Sequence, residues 1–368
     1  MPDALRVAVI GRTGKGNYGH GIDTVWAEVP GVTLVAVADE NEAGRNSAKQ
    51  RLKATAAYAD YREMLDKERP EIVAVGPRWI DQHAEMAIAA AEHGCHVYME
   101  KPFVRTGAEV DGVVAAFEMR HRKLALAHQT RYSPTTHRVR ELIRQGEIGD
   151  LLEIRGRGKE DARGGGEDLW VLGSHVLDLM RFFAGPADSC TATVLNQGKP
   201  ATKTDVKEGN EGLGPLTGDA LQARFTFANG VIGDFASVRG KGSNPARFGL
   251  QLFGSKGVIE VVTGYLEPAW LLKDPGWSPG RSGAKWLPIT SNGEDKPETL
   301  SGRGLSGGNV AADKNLLQAI ETDKQPECNM YEGRGVVEMI LSVFESHRVG
   351  KTVPLPLATR ENPLVHLG

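Results

Sequence analysis

Four glycines lie close together near the start of the chain, where a backbone free of side chains could hold an anionic ligand. The segment reads Gly11-Arg12-Thr13-Gly14-Lys15-Gly16-Asn17-Tyr18-Gly19. Glycines let the backbone approach a pyrophosphate closely, and the free N–H groups of a helix that follows would receive its charge. Two registers of a Gly-x-Gly-x-x-Gly pattern fit. One uses Gly14, Gly16 and Gly19. We favour the other, Gly11, Thr13 and Gly16, because it starts where the preceding apolar run ends, and Gly14 supplies the flexibility that Thr13 lacks.

An acidic residue follows this glycine segment at the distance expected for a ribose contact. Asp39 closes the next apolar run, about 20 residues after the glycines. A carboxylate there can accept hydrogen bonds from both ribose hydroxyls of an adenosine, and it would repel a 2′-phosphate. The spacing therefore predicts a dinucleotide site that prefers NAD. NADP stays possible, because Arg12 or Arg45 could offset the repulsion.

A parallel sheet with helices on both faces would position these residues. Apolar runs alternate with helical patterns through the first third of the chain, which is typical of a doubly wound Rossmann domain. A helix is expected directly after the glycine segment. We place this domain at residues 1–127. The runs that we predict as strands are Leu5–Ile10, Val32–Ala38, Glu71–Gly76, Cys95–Met99 and Lys123–Ala127.

The pattern changes in residues 128–368, where we predict an α+β domain with an open, mostly antiparallel sheet. The pair Asn229-Gly230 lies between two β-rich runs, and such a pair is the strongest short signal for a hairpin whose two central residues take positive φ. The polar segment Lys273–Gly308 is expected to be a loop without core. The runs predicted as strands are Leu151–Arg157, Leu221–Phe227, Val231–Val238, Arg247–Phe253 and Val258–Val262, and the predicted helices are Thr135–Gln145, Leu169–Phe183, Val310–Glu321 and Glu332–Arg348.

The composition excludes several classes of protein. The 368 residues are 40% apolar and 25% charged, with a net charge of -3, so a concentrated basic surface for nucleic acid is not expected. The apolar run at the N-terminus is too short for a secretory signal or a membrane span, which favours the cytoplasm. The three cysteines, Cys95, Cys190 and Cys328, are far apart and indicate neither a zinc site nor a disulfide framework.

Motifs along nearly the whole chain resemble the Gfo/Idh/MocA family, which contains glucose–fructose oxidoreductase and inositol dehydrogenase. The most specific motif is Glu100-Lys101-Pro102, directly after a predicted strand. The resemblance implies an NAD(P)-dependent oxidoreductase, and a homodimer or homotetramer that pairs through the C-terminal sheet. The other matching motifs are the glycine segment, Asp39, Pro77…His83, Arg131-Tyr132-x-Pro134, Gly173-Ser174-His175-x-x-Asp178, Phe227-Ala-Asn-Gly230 and Gly254-Ser-Lys-Gly257.

Lys101 is the residue to which the resemblance gives the clearest role. It would lie near the nicotinamide and the reacting hydroxyl, and take part in binding and in proton transfer. Its position at the carboxyl end of a strand agrees with where doubly wound sheets bind ligands, and Pro102 favours an extended backbone at the lysine. The predicted cofactor contacts are Gly11, Arg12, Thr13, Gly14, Gly16, Asp39, Glu100 and Lys101.

His175 matches the family histidine that contacts the reacting hydroxyl as general acid and base, a role that suits imidazole at neutral pH. One position departs from the family: many relatives carry an aspartate four residues earlier, where this chain has Val171. Asp178, three residues after His175, could hold the imidazole in its working tautomer. Asp168, seven residues before it, could contact a substrate hydroxyl. Arg131 could reach the nicotinamide or substrate, or form an ion pair at the domain interface.

Three functions are compatible with these residues. The leading hypothesis is hydride transfer to or from a secondary alcohol of a sugar, an inositol or a related polyol, with Lys101 and His175 handling the proton. Some family members instead hydrolyse glycosides through transient oxidation, with the cofactor recycled in place. A third possibility is a non-catalytic dinucleotide-binding regulator, which would tolerate the loss of Lys101 or His175.

Overall fold

The computed structural model describes residues 4–302 and 304–368, and its contacts divide the chain into two compact units. The first unit contains the chain up to His128 together with Asn210–Leu213 and Leu305–Arg334. The second unit contains the remaining segments, Gln129–Gly209, Gly214–Gly304 and Gly335–Gly368. Two later segments of the chain therefore join the unit that contains its beginning.

The first unit is built on a six-stranded sheet in the order β3-β2-β1-β4-β5-β6, with every neighbouring pair parallel. This arrangement confirms the predicted Rossmann fold, in which the strand order reverses between β1 and β4. The elements are β1 (Leu5–Ile10), β2 (Val32–Ala38), α1 (Glu42–Leu52), β3 (Ala56–Tyr58), α2 (Tyr61–Glu68), β4 (Ile72–Val75), α3 (His83–Glu92), β5 (His96–Met99), α4 (Gly107–Met119) and β6 (Leu124–Leu126).

The central strands of this sheet are buried on both faces. All four residues of β4 and all four of β5 are buried, as is the end of β1 from Val7 to Ile10. Strands in this position have no polar face, so they appear in the sequence as unbroken apolar runs. Ligands bind such sheets beyond the carboxyl ends of the strands, at the point where the order reverses.

The helix expected after the glycine segment is absent, so this prediction was wrong. Residues 11–31, all of which the structure describes, contain only a 3₁₀ helix at Val25–Glu28. Gly14, Gly16 and Gly19 have φ of 85°, 84° and 71°, which a right-handed helix does not allow. A second turn of backbone with positive φ at Gly21 prevents a helix from starting there as well.

The second unit is built on a large sheet in the order β18-β17-β16-β15-β14-β7-β13-β12-β8-β19, with β9 added beside β8. The elements in the rest of the chain are α5 (Pro134–Arg144), β7 (Leu151–Arg157), α6 (Gly166–Val171), α7 (Gly173–Ala184), β8 (Ala187–Asn196), β9 (Lys199–Pro200), β10 (Lys207–Glu208), β11 (Pro215–Leu216), β12 (Ala220–Phe227), β13 (Ile232–Val238), β14 (Gly249–Gly254), β15 (Val258–Val262), β16 (Ala269–Leu272), α8 (Pro279–Ser282), β17 (Trp286–Thr290), β18 (Gly293–Glu294), α9 (Gly304–Glu321), α10 (Met330–Val349) and β19 (Val353–Pro354).

This sheet confirms the predicted open, mostly antiparallel architecture. Among the strand pairs that the structure describes in it, only β7 and β13 run parallel. One face packs against α7, where Gly156 lies so close to Val176 and Met180 that a Cβ would meet them at 2.5 and 2.6 Å. The opposite face carries polar side chains, including the ion pair of Arg224 with Asp234.

The predicted hairpin between β12 and β13 is confirmed, but its turn differs from the expected one. Gly230 has φ of 83°, whereas Asn229 does not take positive φ. The Gly230 amide donates to the Phe227 carbonyl, and the Phe227 amide donates to the Val231 carbonyl. These bonds describe an ordinary turn followed by a left-handed glycine, which is a common alternative for short hairpins.

Two further sequence predictions were wrong in this unit. The helix expected over Leu169–Phe183 is two helices, because Leu172 leaves helical geometry between α6 and α7. The polar segment Lys273–Gly308 is not a plain loop, since it contains β17 and β18, which extend the sheet. Trp277 in this segment folds inward, with its ring 5.1 Å from that of Phe253.

Candidate functional site

The glycine segment forms a tight turn beyond the end of β1. The amide and carbonyl of Arg12 pair with those of Asn17 through two hydrogen bonds of 2.9 Å. A Cβ at Gly16 would lie 2.3 Å from the Arg78 amide, and one at Gly11 would lie 2.2 Å from the ring of Tyr18. These glycines are therefore required for close approaches within the protein itself, whichever register would serve a ligand.

Asp39 ties this turn to the end of β2. Its carboxylate is 2% exposed and accepts hydrogen bonds from the Thr13 amide at 3.0 Å and the Thr13 hydroxyl at 2.7 Å. The Asn41 amide donates to the other oxygen at 3.0 Å. Asp39 lies where the sequence predicted, and a ribose hydroxyl would have to share oxygens that already hold the turn in place.

A small pocket lies beside Asp39 at the carboxyl ends of β1 and β2, and Gly11, Glu40 and Tyr61 form parts of its wall. Arg12 also lines it, with its guanidinium 2.7 Å from the Asp81 carboxylate. Acidic acceptors next to an aromatic ring suit the ribose and base of an adenosine. The chemistry of these residues therefore suits the adenosine half of the predicted dinucleotide, on the side of the sheet that carries Asp39.

Glu100 directly follows β5 and is fully buried. The backbone amide and Nδ1 of His20 both donate to its Oε1 at 2.7 Å, and the Lys101 amide donates to Oε2 at 3.0 Å. Burial alone would raise the pKa of Glu100, but the hydrogen bonds from His20 and the charge of Lys101 outweigh it and hold the pKa below its usual value. Glu100 is thus a buried carboxylate that fixes the backbone of Lys101.

Lys101 is 8% exposed and is joined to Pro102 by a cis peptide bond. It stands at the carboxyl end of β5, one strand away from β4 and two from β1. This is the edge of the sheet on which the glycine segment lies, so the structure brings Lys101, Glu100 and the glycine turn to the same end of the first unit. His20 completes this group, and no pattern in the sequence pointed to it.

His175 lies in the second unit, in the first turn of α7. Its half-buried imidazole packs edge-on against Phe248, with ring centroids 6.2 Å apart and planes at 85°. Gly173 lets this turn approach Phe235, since a Cβ there would lie 2.8 Å from the ring. Val171 is buried at the end of α6. Because the chain breaks between the two helices, counting residues along one helix face does not relate Val171 to His175.

Asp178 and Arg131 form a buried ion pair in the second unit. The Arg131 Nε atom donates to both carboxylate oxygens of Asp178 at 3.0 Å, and Nη2 donates to Oδ1 at 2.8 Å. The side chains are 5% and 1% exposed, and the guanidinium also lies over the ring of Phe182. The pair lies within the second unit, so it is not the domain-interface ion pair that was one interpretation of Arg131, and its contact with nicotinamide or substrate stays a prediction. Asp178 as a partner of His175 stays a prediction.

Asp168 is fully buried in α6, away from solvent. It accepts hydrogen bonds from the Ser237 hydroxyl and from the amides of Lys159 and Glu160 at 3.3 and 3.1 Å. Burial raises its pKa despite these bonds. The carboxylate therefore holds the turn after β7, and its oxygens already accept these hydrogen bonds instead of one from a substrate hydroxyl. The predicted substrate contact of Asp168 was counted along one continuous helix, whereas the chain breaks between α6 and α7.

Two consecutive parts of the chain match the sequence models of known domain families. Residues 5–128 match the oxidoreductase family with an NAD-binding Rossmann fold, and residues 136–260 match the GFO/IDH/MocA C-terminal domain. Together the two matches cover more than half of the chain. None of the helices within residues 4–302 and 304–368 has both the length and the apolar character that crossing a bilayer requires.

Curated relatives are distant and partly matched. Levoglucosan dehydrogenase of Pseudarthrobacter phenanthrenivorans is 25% identical over 248 residues, which are 61% of this chain and 63% of that protein, so the match spans less than two thirds of the relative. An NADP(+)-dependent scyllo-inositol 2-dehydrogenase of Bacillus subtilis is 23% identical over 74% of this chain and 76% of its own. An alpha-N-acetylgalactosaminidase of Shewanella oneidensis is 28% identical over 40% of this chain and 34% of its own.

Solved structures agree with the fold over almost the full length. Levoglucosan dehydrogenase in complex with NADH and levoglucosan superposes with a TM-score of 0.77, covering 96% of this chain and 100% of that one, at 20% sequence identity. At this identity the likeness establishes the fold. The likeness does not establish which substrate this chain binds.

Proposed function

Because this chain belongs to the Gfo/Idh/MocA oxidoreductase family, with an NAD-binding Rossmann domain, we propose that it is an NAD-dependent dehydrogenase acting on a secondary alcohol of a sugar, an inositol or a related polyol. The observation that carries this proposal is the position of Lys101 at the carboxyl end of β5, with its amide fixed by the buried Glu100. The similarity to a levoglucosan dehydrogenase and to a scyllo-inositol 2-dehydrogenase supports the substrate class.

The residues of this chain would bind, orient and exchange a proton. The nicotinamide, when bound, supplies the redox chemistry by taking or giving a hydride. In its neutral form, the Lys101 amine would hydrogen-bond the reacting hydroxyl, accept its proton during oxidation and return it during reduction. His175, in the second unit, stays a predicted partner in this proton exchange. Glu100 holds the lysine backbone, while Asp39 and the glycine turn bind the adenosine half.

Replacing Lys101 tests this proposal. We expect Lys101→Met to lower turnover by about 10²- to 10⁴-fold, the usual worth of a positioned proton-transfer group, with NADH binding nearly unchanged. Lys123→Met is the matched control, because Lys123 is equally buried at 8% exposed and pairs with Asp323 elsewhere in the same unit. The assay follows the absorbance of reduced nicotinamide with a panel of sugars and polyols. Equal turnover of both variants would remove Lys101 from the reaction, and a wild-type protein without NADH affinity would end the proposal.

A redox-neutral glycosidase is the second candidate, supported by the partial match to the alpha-N-acetylgalactosaminidase. Such an enzyme would release an aryl group from a glycoside with bound NAD and without net formation of NADH. The same panel therefore includes aryl glycosides. Release of the aryl group together with a silent nicotinamide signal would favour this candidate over the dehydrogenase. A regulator without catalysis would show neither signal in any arm of the panel.

We also propose that two copies of the chain pair through the open face of the large sheet. The strand registers place Ile232, Trp270 and Trp286 on the face opposite α7, and these side chains are 38%, 37% and 36% exposed. Exposed apolar groups on one sheet face favour association. Light scattering after size exclusion tests this, with Trp270→Arg expected to shift the protein toward monomer. Met119→Arg is the control, because Met119 is 75% exposed in the other unit.

A cytoplasmic location is proposed as well. It is supported by three buried cysteines that form no disulfide among the described residues, which is usual in a reducing compartment. Fractionation of the source cells followed by immunodetection measures the location, and recovery from an extracytoplasmic fraction would contradict the proposal.

A further inference from the structure

The buried carboxylate of Glu100 depends on a histidine that the proposed reaction does not use. A fully buried carboxylate is tolerated only when hydrogen bonds replace its water. Of the three donors to it among the described residues, two come from one residue, the amide and the Nδ1 atom of His20, both at 2.7 Å. The third donor is the Lys101 amide. His20 therefore determines whether the segment that carries Lys101 keeps its place.

The bond to Glu100 fixes the tautomer of His20 and leaves its other ring nitrogen available. A carboxylate oxygen only accepts, so Nδ1 must carry a proton in this pair. Within the described residues, the side chain makes no hydrogen bond through Nε2. The imidazole is 31% exposed, although the carboxylate it contacts is completely buried. One end of the ring is thus held inside the protein, and the other reaches an accessible position.

The backbone of His20 is held at its amide by Glu100 and at its carbonyl by Asn309. The Asn309 side chain on α9 donates to the His20 carbonyl at 2.9 Å and accepts from the Tyr98 hydroxyl at 2.7 Å. Tyr98 belongs to β5, so this chain of bonds returns to the strand that leads into Glu100. Gly19 is needed for the approach, because a Cβ there would lie 2.7 Å from Glu100 Cγ. The imidazole is therefore preorganised before any ligand arrives.

The position of His20 in the sheet indicates which part of a ligand it would meet. Gly19 lies against the Gly76 carbonyl just beyond β4, and Glu100 lies just beyond β5. Asp39, the predicted contact of the adenosine ribose, lies on the other side of β1, beyond β2. A dinucleotide crosses such a sheet where the strand order reverses between β1 and β4. His20 is thus on the half of the site that would receive the second ribose.

We propose that His20 is a positioning residue that binds the ribose on the nicotinamide side of the dinucleotide through Nε2, while Nδ1 holds Glu100 and the Lys101 backbone. This inference rests on the proposed function, because it needs a dinucleotide in the first unit. It adds a specific contact, with a hydroxyl that NAD and ADP-ribose carry and that ADP lacks.

Two ligands and one conservative variant test the contact. The amide nitrogen of asparagine can replace Nδ1 as a donor to Glu100, but nothing in asparagine replaces Nε2. We expect His20→Asn to bind ADP-ribose about 3- to 10-fold more weakly, the usual worth of one neutral hydrogen bond, and to bind ADP as the wild type does. Both affinities are measured by calorimetry. If the variant loses ADP-ribose and ADP affinity alike, or neither, the proposed contact is refuted.

A second variant separates this role from simple folding. Glutamine extends an amide to about the position of Nε2 but gives up the short bond to Glu100. His20→Gln should therefore lower the melting temperature of the protein and still distinguish ADP-ribose from ADP, and loss of the distinction would contradict the proposal. In turnover assays, His20→Asn should raise the KM for NAD by the same factor as its ADP-ribose affinity falls. If wild-type protein binds neither ligand, the proposed function has failed, whereas normal wild-type binding with unaltered variants refutes His20 alone.

Discussion

Glu100→Gln should destabilise the first unit although the two side chains have nearly the same size. Glutamine can keep one acceptor oxygen for the amide and ring of His20, but its NH2 group must then face the Lys101 amide, which is itself a donor. The variant loses one hydrogen bond to a charged group, worth about 1.5–3 kcal/mol, and leaves buried donors facing each other. We expect the free energy of unfolding to fall by about 2–3 kcal/mol at neutral pH.

Urea unfolding followed by circular dichroism measures this loss. The control is Glu63→Gln, since Glu63 makes an exposed ion pair with Lys67 one helical turn away, with side chains 48% and 60% exposed. Such pairs contribute only about 0.3–0.5 kcal/mol. Because the folded pKa of Glu100 is lowered, its contribution is complete above the pKa of the unfolded chain and is lost as the pH falls through the folded pKa. The free energies of unfolding of the wild type and of Glu100→Gln should therefore become equal at acid pH. Equal losses in Glu100→Gln and Glu63→Gln at neutral pH would refute the reasoning.

Three further outcomes follow from buried charges. Asp39→Ala should weaken NAD binding more than NADP binding in calorimetry, because the carboxylate repels a 2′-phosphate; an unchanged preference would contradict its ribose role. Asp313→Leu should stabilise the protein by about 1–3 kcal/mol, because both carboxylate oxygens lack a hydrogen-bond partner among the described residues and burial raises the pKa well above its usual value. Since only the unfolded chain ionises as the pH rises above that usual value, the gain should grow with pH across thermal melts, and a gain that shrinks would refute this. Arg131→Met should cost about 3–5 kcal/mol in urea unfolding by leaving Asp178 buried without its partner, and a loss below about 1 kcal/mol would mean that the pair is not buried in solution.

The strands were predictable where burial left a simple pattern. The bounds of β1, β2, β7 and β15 agree with the apolar runs, because strands covered on both faces, or on one face in alternation, show their environment in the sequence itself. The parallel direction of the strands in the first sheet was predictable from their alternation with helices. The open sheet of the second unit could be predicted from the Asn229-Gly230 hairpin and from its short β-rich runs.

The errors fall where a tertiary contact decides the backbone. The helix after β1 was expected from domain type, but positive φ at Gly14, Gly16 and Gly19 overrides it. The break at Leu172 accommodates the approach of Gly173 to Phe235, which involves residues far apart in the chain. The strand β17 is a short run between polar loops, so its pairing with β16 was not visible locally.

In the candidate site, the residues that follow the strands could be predicted from the sequence, whereas their hydrogen-bond partners could not. Lys101 and Glu100 follow an apolar run in a specific motif, and they lie where a parallel sheet presents its ligands. His20 gave no signal, because it is 80 residues away from Glu100 in the chain and only the adjacency of the glycine turn to β5 brings them together. Its neighbour Gly19 was noted as a phosphate glycine, whereas the structure uses it to admit Glu100.

The contacts of Asp39 also bear on how strongly the site could prefer NAD. A carboxylate has about four lone-pair positions, and three donor groups of Thr13 and Asn41 already use three of them. One position is therefore left for a ribose hydroxyl, and a second ribose hydroxyl could bind only by replacing the Thr13 hydroxyl, with little net gain. Asp39 would also repel a 2′-phosphate. A preference for NAD at this site would then rest on that hydrogen bond and on the repulsion, and the part that comes from repulsion should weaken as salt screens the two charges.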